Sequence, residues 1–409
     1  MGIVYADNNA TTQVAPEVVE AMTPFLTEQY FNPSSMYEAA RGPAKAVAGA
    51  RAAAARVLGG VRPDEVLFTS CATESNNAAI FGAARANRER RHVITTAVEH
   101  PAVLNVCKEL ERDGLEVTFL PVDSSGRLDA ADLVRALRRD TLLVSVMHAN
   151  NETGVVFPVA ELARIVKETD PAIVFHTDAT QTVGKLRIDL TGGFSNVDML
   201  SFSGHKLHAP KGVGALFLRR GTPCRPYLVG GHQEAGRRGG TENVPYVVGL
   251  GRALELAEEA HAAAEERIRR LRDRLETELV ARIPLLQVNG AGAERLSNTL
   301  NVSCHFIEGE GILYQLSEHG ICASSGSACT SGSLEPSHVL TAMRVPFTAA
   351  HGSVRFSLSR YNTEDDVDAI LAVFPGIVAS LRRLSPYWDA QRGRPRPEAE
   401  HMLRPPAAG

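Results

Sequence analysis

Lys206 closes the run Ser201-Phe202-Ser203-Gly204-His205-Lys206, directly after an apolar stretch that reads as a strand. An amine in such a partly desolvated, cation-flanked position has a lowered pKa and becomes a nucleophile able to form imines. Taken alone, a loop lysine is ordinarily solvated, so the chemistry needs support from elsewhere. The run His176-Thr177-Asp178-Ala179-Thr180-Gln181 ends the preceding apolar stretch with an acid. A pyridine ring that serves as an electron sink needs such an acid to keep its nitrogen protonated. Thr69-Ser70-Cys71-Ala72-Thr73-Glu74-Ser75 joins a strand to a helix and offers hydroxyls, backbone N–H groups and the helix dipole to an anion such as phosphate. The same run also makes a good helix cap. Finally, Cys329 sits among Ser, Gly and Ala from Ser324 to Gly332, too small a set of neighbours to pack a core around it. An exposed, mobile thiol of this kind, with a pKa near ~8.5, attacks as the thiolate. The alternatives are an inert thiol or a metal ligand, and the latter lacks Cys or His partners nearby in sequence.

Three of these four features lie at strand ends. Compact apolar runs at Val66–Thr69, Val93–Thr95, Val117–Leu120, Leu142–Val146, Ile173–His176, Met199–Phe202 and Gly214–Leu218 alternate with helical patterns at Glu74–Asn87, Ala102–Arg112, Ala130–Arg138 and Val159–Lys167. Runs without polar alternation suit strands buried on both faces, and their repetition with helices predicts an α/β domain with a mostly parallel sheet. The return from Met199 to Leu218 adds an antiparallel strand. Ligands of such sheets bind at the carboxyl ends of the strands. A long charged helix, Val247–Ile283, is long enough to bridge two domains. Beyond it, strands at Asn298–Ser303 and Ser353–Leu358 and helices near Gly311–His319 and Thr363–Leu384 predict a second domain. The division expected is residues 15–260 as a large domain, residues 1–14 with 261–385 as a smaller α+β domain, and 386–409, rich in Pro and charge, as a disordered tail.

Composition narrows the partners. The 409 residues are 44% hydrophobic and 22% charged, with a net charge of −4, which offers no basic field for nucleic acid or anionic lipid. No basic start with an apolar run marks a leader, and no apolar stretch reaches membrane-spanning length, so a cytoplasmic chain without membrane contact is expected. Six cysteines, none in Cys-x-x-Cys spacing, exclude a disulfide scaffold. Cys107, Cys304 and Cys322 fall in apolar patterns and read as structural, and Cys71 as local packing.

Over residues 3 to 385 the chain resembles the pyridoxal-phosphate cysteine desulfurases of the class V aminotransferase family, the nitrogen-fixation type most of all. The landmarks are Tyr5 to Thr12, Ala72 to Ser75, Glu99-His100, Ala149 to Gly154, Asp178 to Gln181, Ser203 to Lys206, Gly230 to Glu234, Arg238 to Asn243 and Ser324 to Gly332. The resemblance implies an aspartate-aminotransferase-like fold (fold type I) and pyridoxal 5′-phosphate as cofactor. Lys206 would form the imine link and move the Cα proton. Asp178 would pair with the pyridine nitrogen, Gln181 with the phenolic oxygen, and His100 would stack on the ring and shuttle protons. Ala72, Thr73, Ser203 and His205 would hold the phosphate, with Thr241 reaching it from the partner of a homodimer. Asn151 would lie beside the ring and the substrate carboxylate. Arg355 would clamp that carboxylate, although an ion pair with a nearby acid explains a lone arginine as well.

The activity so implied is conversion of L-cysteine to L-alanine, with sulfur passing to a Cys329 persulfide and on to an iron–sulfur scaffold, in nitrogenase maturation. Any metal contact of Cys329 would be a transient one, to an iron–sulfur centre through the persulfide. The alternatives on the same fold are a housekeeping desulfurase for iron–sulfur assembly or tRNA thiolation, and a selenocysteine lyase. A non-catalytic sulfur carrier is disfavoured by retention of both Lys206 and Cys329.

Overall fold

Alternation along the strands sets the layers. The structure, a computed structural model, describes residues 2–325 and 336–405. Its main sheet comprises β2 (Val66–Thr69), β3 (His92–Thr96), β4 (Glu116–Leu120), β5 (Thr141–Ser145), β6 (Val174–Asp178), β7 (Met199–Ser203) and β8 (Gly214–Leu218), preceded in the chain by the short β1 (Val4–Tyr5). The order is β2-β8-β7-β6-β5-β3-β4, and β8 alone in this sheet runs against its neighbours. The expected strands are therefore present, and the expected antiparallel return is the β7–β8 pair.

Successive residues feed opposite faces, as the pleat requires. Val93, Leu143, Val174 and Met199 pack with Ile80, Val103 and Cys107 of the helices Ala72–Ala86 and Pro101–Arg112. Their neighbours Ile94, Val144, Phe175 and Leu200 pack on the other side with Leu162 and Val166 of the helix Val159–Thr169 and with Leu250 and Leu254. Both faces are thus covered, and a near-continuous apolar strand is the sequence that tolerates this.

The helix Val244–Arg282, about 58 Å long at ~1.5 Å per residue, spans two cores. Its Leu250 and Leu254 belong to the first. Its Leu271, Leu275 and Leu279 belong to a second, shared with Val4, Ala6, Val302, Phe356 and Phe374. That second core is covered by the antiparallel strands β9 (Leu286–Val288), β10 (Thr299–Cys304) and β12 (Ser353–Ser357), and by the pair β1 and β11 (Ile321–Cys322). Within the stretch assigned by sequence to the smaller unit, Val339, Leu340, Met343 and Ala349 pack instead into the first core.

The tail expectation is corrected for residues 386–405. Here β13 (Trp388–Asp389) pairs with β14 (Arg394–Pro395), and a 3-10 helix runs from Pro397 to Leu403. Trp388 and Ala399 are buried with Phe306, and the Arg382 guanidinium lies 4.3 Å from the Trp388 ring centroid. Mean composition missed this because one large aromatic on a ready-made apolar surface is enough to hold a short segment.

Candidate active site

The parallel strands all end at one edge of the sheet, and there a cavity of about 350 Å³ opens. Ala72, Thr73, His100, Asn151, Asp178, Gln181, Ser203, His205, Lys206 and Arg355 all line it. Thr241 does not: it is exposed on the loop before the long helix. That loop is fixed to the large core by a two-pronged Arg51–Glu234 pair, both contacts 2.7 Å, and by Arg238 to Glu74 at 2.7 and 3.1 Å. Cys329 lies outside the described residues.

Lys206 ends the 3-10 turn that follows β7, and its Nζ donates to the carbonyls of Asn9 and Ala10, both at 2.6 Å. Asp178 is the last residue of β6. Its Oδ2 accepts from Asn76 Nδ2 at 2.7 Å and its Oδ1 from the Thr180 N–H at 2.9 Å. Gln181 Nε2 donates to the Asn9 carbonyl at 3.1 Å, and its Oε1 accepts from Lys185 at 3.1 Å. His100 caps the helix Pro101–Arg112, its Nδ1 accepting from the Ala102 N–H at 3.1 Å. Burial, with Lys206 and His338 adding to it and Asp178 opposing, holds its pKa below the ordinary value. Burial thus favours the neutral ring, whose Nδ1, accepting from Ala102, leaves the proton to Nε2. Burial beside Lys206 pushes His205 down to about 4.

The residues present fit pyridoxal phosphate. The helix Ala72–Ala86 begins at Cys71 with no side chain capping it, so the capping reading fails and its leading N–H groups face the cavity end marked by Ala72 and Thr73. Ser203 Oγ, which lines the same cavity, is buried without a partner among the described residues. An uncapped helix start with an orphaned hydroxyl is an anion site, and the Asp178 carboxylate supplies the acid for a ring nitrogen. Cys71, expected as local packing, is half-buried and lines the cavity wall instead. Cys107 and Cys304 are buried, with burial pushing both thiols up to about 12.

Arg355, on β12, is 2% exposed. Its Nη2 contacts Asp7 Oδ1 at 2.7 Å and its Nη1 donates to the Asn151 carbonyl at 2.8 Å. The ion pair considered as an alternative is thus present, and among the described residues it leaves Nε buried without a partner. Held from behind in this way, the guanidinium is fixed in the cavity wall. The residues flanking Cys329 are anchored close by, Ser324 to the cavity residue Arg355, and Ser337 and His338 to Glu152 and Glu99, the chain neighbours of the cavity residues Asn151 and His100. Ser324 exchanges backbone hydrogen bonds with Arg355, Ser337 Oγ donates to Glu152 Oε2, and His338 Nε2 contacts the Glu99 carbonyl at 2.9 Å.

Glu99 is wholly buried under this wall. Burial, reinforced by the Asp178 charge, pushes its carboxyl up to about 8, although Oε1 accepts from Thr96 and from the Met147 N–H, both at 2.8 Å. A carboxyl whose folded pKa lies above its unfolded value of about 4.5 contributes stability below that value and loses it as pH rises toward about 8. Glu99→Gln keeps the acceptor Oε1 and cannot ionise. It is expected to raise the melting temperature at pH 8.5 by a few degrees and to leave it nearly unchanged at pH 5. Equal effects at both pH values in scanning calorimetry would refute the buried ionisation.

Asp7, Asn9 and Asn76 were given no role from sequence. Asp7 and Asn9 lie within a landmark run, but their partners are Arg355 and Gln181, far along the chain. Asn76 carries a weaker signal, a buried amide one turn into the helix that starts at the phosphate end.

Known proteins agree with this geometry. The aminotransferase class-V family model matches residues 4–370. Cysteine desulfurase 2 of Trichormus variabilis is 56% identical over 391 residues, covering 96% of this chain and 97% of that protein. The cysteine desulfurase NifS of Azotobacter vinelandii is 54% identical over 389 residues, covering 95% and 96%. A solved NifS-like protein superposes with a TM-score of 0.87 at 41% identity, over 93% of this chain and 100% of the other. The architecture is that of the fold type I, aspartate-aminotransferase-like enzymes, with a mostly parallel mixed central sheet. With a model match across most of its length and relatives above half identity end to end, the chain belongs to the aminotransferase class-V family.

Proposed function

We infer that this protein is a pyridoxal-phosphate-dependent cysteine desulfurase of the nitrogen-fixation type, working in the cytoplasm. The observation that carries the reading is the meeting of Lys206, Asp178 and an uncapped helix start in one cavity, with Ser324, on the chain before Cys329, bonded to the cavity residue Arg355. The high identity to enzymes named cysteine desulfurase, NifS among them, supports the substrate and the type.

When bound, the cofactor supplies an electron sink that weakens bonds around the substrate α-carbon. Lys206 would hold it and move the proton at Cα, and Asp178 would keep the ring nitrogen protonated. Gln181 would serve the phenolic oxygen, Asn151 the ring and substrate carboxylate, and Ala72, Thr73, Ser203 and His205 the phosphate. Arg355, braced by Asp7, receives the substrate carboxylate. His100, neutral with its proton on Nε2, shuttles protons between substrate and solvent. The Cys329 thiolate attacks the substrate sulfur. A sulfur–sulfur bond forms as the carbon–sulfur bond breaks, the electron pair returns to the substrate Cβ, and a proton completes L-alanine. The sum, L-cysteine plus thiol giving L-alanine plus persulfide, balances without an outside oxidant.

The test is product analysis of the purified holoenzyme with L-cysteine and a reducing thiol. Equal amounts of L-alanine and sulfide are expected, and pyruvate with ammonia in their place would overturn the reading. An iron–sulfur scaffold protein is the proposed physiological acceptor.

The position of Thr241 supports a homodimer. Its loop is anchored at Glu234 and Arg238 but leaves Thr241 exposed and away from its own chain's cavity, which suits a phosphate contact made to a second copy. Light scattering of the holoenzyme is expected to give twice the chain mass of 44.0 kDa. A fully active monomer would exclude the shared site.

A further inference from the structure

Lys185 lies one turn beyond Gln181 in the turns that follow β6, with its Nζ 3.1 Å from Gln181 Oε1. It stands in the partition between the main cavity, which Gln181 lines, and a smaller one of about 80 Å³ that Lys185 itself lines. We propose that Lys185 is a positioning residue: by donating to Gln181 Oε1 it fixes the amide with Nε2 toward the cofactor's phenolic oxygen. The proposal rests on the role given to Gln181 above.

The partners dictate the polarity of the amide. A backbone carbonyl only accepts, so the Asn9 carbonyl at 3.1 Å takes one Nε2 hydrogen, and the second is left for the cavity. Lys185 supplies the other anchor, on the oxygen side. Without it, an amide rotation would turn Oε1 toward the phenolic oxygen and set two acceptors against each other.

The electrostatics of the position agree. Lys206 and Arg355 act on Lys185 as like charges, and His208, Arg360 and Glu265 line the same small cavity. Burial, with Lys206 and Arg355, brings its amine down to about 7. Among the described residues its amine donates to Gln181 Oε1, and Lys185→Met removes that donor together with the repulsion from Lys206 and Arg355.

The experiment uses holoenzymes and reads the pH midpoint of the absorbance change of bound pyridoxal phosphate. A donor on the phenolic oxygen stabilises the oxyanion, so it lowers the pH at which the bound cofactor gives up its proton. Lys185→Met is expected to raise the midpoint by about one pH unit, the worth of one hydrogen bond to a charged oxygen. Gln181→Leu should raise it at least as far, and the double variant no further than Gln181→Leu alone. Lys185→Arg, which keeps the donor, should stay near the wild-type midpoint. An unmoved midpoint in Lys185→Met beside a shifted Gln181→Leu overturns the proposal and spares the role of Gln181. A Lys185→Met shift that persists in full on the Gln181→Leu background also overturns it, because Lys185 would then act by its charge. An unmoved midpoint in Gln181→Leu instead overturns the role of Gln181 itself.

Discussion

Cys329→Ala is expected to lower L-alanine formation from L-cysteine by at least roughly 10³-fold while leaving pyridoxal phosphate bound. A tethered thiol competes with free thiols at an effective concentration that reaches ~10⁵ M or more in well-oriented cases, so millimolar reductant replaces it poorly. None of the other five cysteines is placed to substitute: Cys224 packs against the helix Ala72–Ala86, with burial pushing its thiol up to about 11. Cys107 and Cys304 are buried with thiols pushed up to about 12, and Cys322 is held in the β1–β11 pair. Cys71 does line the cavity, but at the end where the helix begins and the phosphate is placed. The cofactor spectrum of Cys329→Ala should still change when L-cysteine is added, since Lys206, Asp178 and Arg355 are untouched. A near wild-type rate of alanine formation would mean that sulfur leaves without thiol attack, as a lyase would release it.

Lys206→Ala is expected to be at least as damaging, with a loss of roughly 10⁴-fold, because it removes both the covalent hold on the cofactor and the group that moves the Cα proton. Borohydride reduction of the wild-type holoenzyme followed by peptide mapping should place the cofactor on Lys206 and leave none on the variant chain. Lys185 is the informative control. Its amine has a pKa of about 7 and lines a cavity that Lys206 also lines, so reactivity alone does not exclude it. Label on Lys185 or Lys211 would displace the site.

The main sheet was legible because burial on both faces leaves an unusual trace, apolar runs without polar alternation, and the parallel rule then brings the ends of those runs to one edge. Asp178 and Lys206 could be placed on that edge from the sequence by itself, whereas their roles came through the resemblance. What could not be read is what depends on distant segments. Arg355 left two readings open until Asp7, 348 residues away in the chain, was seen to hold one side of its guanidinium. The run Thr69 to Ser75, taken alone, read more readily as a cap, and only the lack of a capping side chain among the described residues turned it toward an anion. Asn9 and Asn76 are common polar residues whose importance lies wholly in facing Gln181, Lys206 and Asp178 across the cavity. The Trp388 segment was misread because averaging over a stretch dilutes a single anchor.

The central claim is that this cavity delivers substrate sulfur to Cys329. Its most direct measurement is peptide mapping by mass spectrometry after a single turnover, with sulfur-isotope-labelled L-cysteine added to the holoenzyme and the thiols and persulfides alkylated at once. The label is expected on the Cys329 peptide as one added sulfur, in amount equal to the L-alanine formed. Alanine formed with no added sulfur on Cys329, or with the label on Cys71 or Cys322 instead, would contradict it.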